Sequence, residues 1–83
     1  MVKTVYMEQQ NVSFVSGYNR VYFSKATYMP ANSTFICGVL LKSANDFYII
    51  GNVTEGAEDI TLAYHNFSTN ALSGACGLLV FYK

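Results

Sequence analysis

Residues 34–53 read TFICGVLLKSANDFYIIGNV: two apolar runs, 35–41 and 47–53, parted by the polar break Lys42-Ser43-Ala44-Asn45-Asp46. Short runs rich in Phe, Ile, Val and Tyr, bounded by turn formers, predict β-strands. Two of them around so brief a break predict a β-hairpin. Side chains alternate along a strand, which puts Phe35, Cys37, Val39 and Leu41 on one face and Ile36, Leu40 and Lys42 on the other. On the return strand Phe47, Ile49 and Val53 oppose Tyr48, Ile50 and Asn52. Neither face of the pair is cleanly polar.

Outward from this stretch the same punctuation continues. Residues 2–7 and 12–15 read as two short strands separated by Glu8-Gln9-Gln10-Asn11. Ser16-Gly17-Tyr18-Asn19 is a turn cluster whose glycine accepts a positive φ. Residues 20–25 alternate, Val21 and Phe23 against Tyr22 and Ser24. Pro30-Ala31-Asn32-Ser33 is a turn, and Met29 before the proline is biased to an extended backbone. After an acidic loop at 54–59, Ile60, Leu62 and Tyr64 alternate with Thr61, Ala63 and His65. A polar loop at 66–74 leads into residues 75–82, a strongly apolar last strand. Six or seven short strands with regular turn signals, and no helical periodicity, predict an all-β domain: a small antiparallel β-sandwich, jelly-roll-like, occupying residues 1–83 as one unit. Its expected core is Phe35, Cys37, Val39, Leu41, Ile49, Leu62, Leu79 and Phe81.

The chain has 83 residues, 52% hydrophobic and 16% aromatic, with only 12% charged. That charged share is about half the usual one. A small domain leaves much of its surface outside, so this is more apolar material than a monomer of this length readily hides. Five basic and five acidic residues are scattered singly and sum to zero, leaving no electrostatic footprint for nucleic acid. No apolar run approaches the roughly 20 residues that span a bilayer, and no basic amphipathic helix is present, so membrane insertion is not expected. The opening MVKTVYMEQQ lacks an apolar h-region, so no signal peptide is expected.

Catalysis needs convergent nucleophiles, acids and bases, and here there is one imidazole, His65. It sits on the polar face of its strand, while Cys37 and Cys76 sit in apolar runs, so a Cys–His pair is not expected and neither is an enzyme. One His and two distant Cys have no zinc spacing. Glu55, Glu58 and Asp59 lack the ligand ladder of a calcium loop. The chain is therefore read as having no metal site and no cofactor. The two cysteines are expected to be reduced and buried, behaving as small hydrophobes. Four Asn-x-Ser/Thr sequons, at Asn11, Asn32, Asn52 and Asn66, read as turn chemistry. Seven tyrosines offer large rigid faces with a hydroxyl, suited to carbohydrate stacking and to protein interfaces.

A turn such as Met29-Pro30-Ala31-Asn32-Ser33, an apolar strand pair split by Ser43-Ala44-Asn45-Asp46, a late alternating strand and the ending Leu78-Leu79-Val80-Phe81-Tyr82-Lys83 together resemble the small β-domains at the C-termini of bacteriophage tail fibres and receptor-binding proteins. The resemblance implies a trimeric sandwich head that binds a saccharide or protein on a bacterial surface. It also implies a place in the virion tail, or in the bacterial cytoplasm before assembly. Such a head would present loops carrying Tyr18, Asn45, Tyr64, His65 and Asn66 to its ligand. Apolar pattern independently predicts a homo-oligomer, because Ile36, Leu40, Ile50, Leu78 and Val80 form the alternate parity set to the expected core. Two other readings stay open: a small phage-encoded inhibitor of a host protein, and a virion structural protein without a ligand.

Overall fold

The computed structural model describes residues 1–44 and 48–83. Six strands run through the described residues: β1 (Lys3–Phe14), β2 (Gly17–Ser24), β3 (Phe35–Lys42), β4 (Ile49–Glu55), β5 (Asp59–Asn66) and β6 (Leu72–Tyr82). One helical turn, α1 (Lys25–Tyr28), interrupts them. They form two antiparallel three-stranded sheets, ordered β1-β6-β3 and β2-β5-β4. β1 passes into β2, β3 into β4 and β5 into β6 by leaving one sheet for the other, which is the winding of a jelly roll with three strands a side. The expected all-β sandwich is the fold.

Residues 35–41 and 47–53 do not make the expected hairpin. β3 pairs with β6 and β4 with β5, so the two runs are edges of opposite sheets; Phe47 lies outside the described residues. Each run lines the space between the sheets with one side and turns the other to solvent. The two expected strands at the N-terminus are one. β1 runs through the polar break with a bulge between Gln9 and Val12, where Asn11 takes a φ of 57°. Asparagine tolerates the left-handed region better than most residues, and Asn32 uses it too, at 63°, in the turn after Pro30.

The core is Met7, Phe14, Val21, Phe23, Ile49, Ile60, Leu62, Tyr64, Cys76, Leu78 and Val80. This corrects the expected set at several places. Ile49 and Leu62 are inside as expected. Cys37, Val39 and Leu41 are exposed, while Leu79, Phe81 and Phe35 are half-buried. Conversely Leu78 and Val80, expected at an oligomer interface, are fully buried within the chain and are unavailable to a partner. Leu40, from the same expected set, packs against the core. The physical reason is register. β3 carries irregularities between Phe35 and Cys37 and between Leu40 and Lys42, and each bulge moves the following residues to the other face. Gly38 and Leu40 therefore share the rows of Val80 and Leu78.

Polar side chains close one side of the sandwich. Gln9 Nε2 donates to the Tyr22 carbonyl at 2.5 Å, and Tyr28 Oη donates to the Glu8 carbonyl at 3.0 Å. Tyr28 also packs edge-on against Phe23, with centroids 5.8 Å apart. At the opposite side β3 and β4 approach through Gly38, where a Cβ would stand 2.7 Å from Val53 Cγ1. Between Pro30 and β3, Thr34 and Lys83 exchange two backbone hydrogen bonds of 2.8 and 2.9 Å, extending the β3–β6 pairing to the chain end.

Candidate binding face

The outer surface of β2-β5-β4 is built by period-two alternation. Val21 and Phe23 on β2, with Ile60, Leu62 and Tyr64 on β5, point into the sandwich, so their neighbours must point out. Register then sets three outward rows: Tyr18–His65–Ile50, Arg20–Ala63–Asn52 and Tyr22–Thr61–Thr54. Tyr18 and Ile50 are each 61% exposed and flank the half-buried His65. The His65 imidazole stacks on Phe67 with centroids 4.2 Å apart. The Arg20 guanidinium carbon sits 5.5 Å from the centre of the Tyr18 ring, a cation–π arrangement that steadies both side chains. A depression of about 240 Å³ opens here, lined by Tyr18, Ile50, Gly51, Asn52, Ala63, Tyr64 and His65.

Of the expected ligand residues, Tyr18 and His65 come together as direct cross-strand partners. Tyr64 and Asn66 do not join them as ligand groups, since both side chains are buried at 1% exposure. Tyr64 stacks edge-on against Phe14 at 5.1 Å, and its hydroxyl accepts the Val15 amide at 3.0 Å. It therefore pins the β1–β2 connection. Asn66 donates to the carbonyls of Phe14 and Asn70, at 2.9 and 3.1 Å, and accepts the Ser68 amide at 2.8 Å. Both amide protons and the side-chain oxygen are engaged in holding the 66–70 turn under β1. Asn45 lies outside the described residues. Ile50 was expected at an oligomer interface and instead shares the Tyr18–His65 row, while Ile36 is exposed in the first β3 bulge.

Arg20, Asn52 and Phe67 are members of this face that sequence reasoning passed over. The signal was present for Arg20: with Val21 and Phe23 inward, Arg20 is outward beside Tyr18 and Tyr22. Phe67 carried no such signal because it lies beyond β5, in a loop whose orientation is set by the Asn66 hydrogen bonds and by the Phe67 amide donating to the Tyr48 carbonyl at 2.8 Å.

Chemically the face offers aromatic planes framed by hydrogen-bonding groups. His65 has Phe67, Tyr18 and Ile50 beside it. Both cysteines stand on the other sheet, Cys37 exposed and Cys76 buried. Burial pushes the Cys76 thiol up to about 12, the opposite of an activated nucleophile. Glu55 is spoken for by Lys25, 2.6 Å away. Among the described residues no three His, Cys, Asp or Glu side chains gather closely enough to hold a metal ion, and no helix is long and apolar enough to cross a membrane. No family model, curated protein or solved structure matches the chain.

Proposed function

We propose that the chain is a non-enzymatic binding head, of the kind implied by its resemblance to phage tail-fibre and receptor-binding domains. In this reading it is a virion component that self-associates and presents the β2-β5-β4 face to a host surface saccharide or protein. The observation that carries the reading is the Tyr18–His65–Ile50 row beside Arg20 and Asn52. Flat rings stack on the apolar faces of sugars, while an adjacent guanidinium and amide read hydroxyls; the same pair of features serves protein recognition. A shallow depression suits single weak sites, which gain strength when several copies engage one surface together.

Binding to bacterial cells and to an array of surface glycans tests the reading. Tyr18→Ala and His65→Ala are each expected to weaken binding by roughly tenfold, equivalent to about 1.4 kcal/mol, with the circular dichroism spectrum unchanged. Loss-free variants would remove this face from the function. The second reading, an inhibitor of a host protein, is favoured by Ile50 and Phe67, both 61% exposed, which suit a protein partner better than a sugar. Capture of one host protein by wild type but not by Ile50→Asp, without any glycan binding, would select it.

A further inference from the structure

The two sheets differ in what they show to solvent. Each outward row of β2-β5-β4 carries a hydrogen-bonding side chain. On β1-β6-β3 the outward rows are Thr4–Phe81–Cys37, Tyr6–Leu79–Val39 and Glu8–Gly77–Lys42. The middle row is apolar or aromatic from edge to edge. Leu41, in the second β3 bulge, adds a further exposed apolar side chain, 56% exposed beside Val39 at 44% and Tyr6 at 46%. The surface is also smooth, because Tyr6 lies across Gly77, where any Cβ would collide with its hydroxyl. A sheet that is apolar on both faces is normally covered on both.

We propose that a second copy of this chain covers this face, related by a two-fold axis that runs along β6. The argument is complementarity of the face with itself. Rotation about an axis along the central strand keeps positions along the strands and exchanges the two edges, so β1 of one copy faces β3 of the other. Tyr6 then meets Val39 of the second copy, Thr4 meets Cys37, and Leu79 and Phe81 meet their own counterparts. Glu8 and Lys42 occupy one row at opposite edges, so each carboxylate comes to face the other copy's ammonium, twice. Within one chain these groups already lean toward each other over Gly77, at 3.8 Å, with Lys42 57% exposed. Pairing copies closes four charges of alternating sign around the axis. Glu8 is held for this by the Tyr6 hydroxyl, which donates to Oε1 at 2.6 Å, and by the Gln10 amide.

Sheets packed face to face lie roughly 10 Å apart with strands about 30° from parallel, which lets these rows interdigitate. The patch measures roughly 14 Å across three strands and is at the small end of specific interfaces, below about 1,200 Å² in total. A reversible dimer is the consequence. An isologous pair uses the face completely and is closed, with both β2-β5-β4 faces left pointing outward. This keeps the self-association of the reading above and rests on it, replaces the trimer that the resemblance implies with a pair, and involves none of the residues assigned to ligand binding.

Light scattering at low salt and tens-of-micromolar concentration, on the intact chain, tests the pairing. Wild type is expected at twice the 9.2 kDa chain mass. Val39→Lys, Glu8→Lys and Lys42→Glu are each expected at the mass of one chain, with native circular dichroism. An equimolar mixture of Glu8→Lys and Lys42→Glu is expected to return to the mass of two. Each variant carries like charges in its own row, so that rescue is possible only between copies. A trimeric mass, a monomer throughout, or a mixture that fails to associate overturns the two-fold pairing. Ligand binding by Tyr18 and His65 in a monomeric chain would show the head reading standing without it.

Discussion

The two cysteines show how a single residue's behaviour depends on the row it occupies. Both are free thiols, as the composition suggested, but only one is buried. Cys76 shares the inward row of Gln9, whereas Cys37 shares the outward row of Thr4 and Phe81. Burial raises the Cys76 thiol to about 12, so almost none of it is the reactive thiolate at neutral pH. Alkylation under native conditions, at a concentration low enough to keep the copies apart, is therefore expected to add one equivalent, on Cys37, and a second only after denaturation. Mass spectrometry of the intact chain and its peptides reads this directly; zero or two native equivalents would contradict the placement. A different residue-scale assignment governs Asn66, which was expected in a ligand-binding loop. Its side chain makes three hydrogen bonds in the interior, and asparagine beside a strand end serves a turn before it serves a ligand.

At the scale of the strand, parity decides which side chains hold the molecule together. β5 and β2 mix polar with apolar residues, and their inward sets were readable: Ile60, Leu62 and Tyr64 on one, Val21 and Phe23 on the other. β6 offers no such contrast, since Cys76-Gly77-Leu78-Leu79-Val80-Phe81 is apolar at every position. A shift of one residue exchanges its faces completely. The structure puts Leu78 inside at 0% exposure and leaves Leu79 half-buried on the outer surface. Leu78→Ala is thus expected to cost roughly 2–5 kcal/mol of unfolding free energy, and Leu79→Ala about half of that or less. Denaturant titration of the two variants side by side checks the register; equal costs would argue against it.

For the whole molecule the consequence is a division of labour between two sheets. One outer face is rich in hydrogen-bonding groups, the other mostly apolar, carrying Tyr6, Phe81, Leu79 and Val39 with the Glu8–Lys42 ion pair at its end. If the first binds and the second associates, variants on each should act separately. Tyr18→Ala is expected to weaken every interaction with ligand while leaving the mass at two chains. Val39→Lys is expected to halve the mass and leave affinity for a soluble monovalent ligand unchanged. Its retention on a ligand-coated surface should also be unchanged, because the two binding faces of a pair point in opposite directions and cannot reach one flat surface together. Surface plasmon resonance in both formats separates the two effects. A Val39→Lys chain that loses monovalent affinity would tie the faces together and contradict the division.

Local sequence determined the element content of this protein: short β-prone runs, turn residues between them, and alternation wherever polar and apolar residues were mixed. It was enough to identify an all-β sandwich and to place Tyr18 and His65 on an accessible surface. Strand partners were beyond it. Residues 35–41 and 47–53 look like a hairpin because proximity in sequence favours local pairing, yet each finds a better partner in β6 or β5, and that choice depends on contacts between residues far apart in the chain. The same long-range pairing, with two bulges in β3, decided that Leu78 and Val80 face inward and Val39 and Leu41 outward. A uniformly apolar strand carries no internal mark of its faces, and only the sheet it joins supplies one.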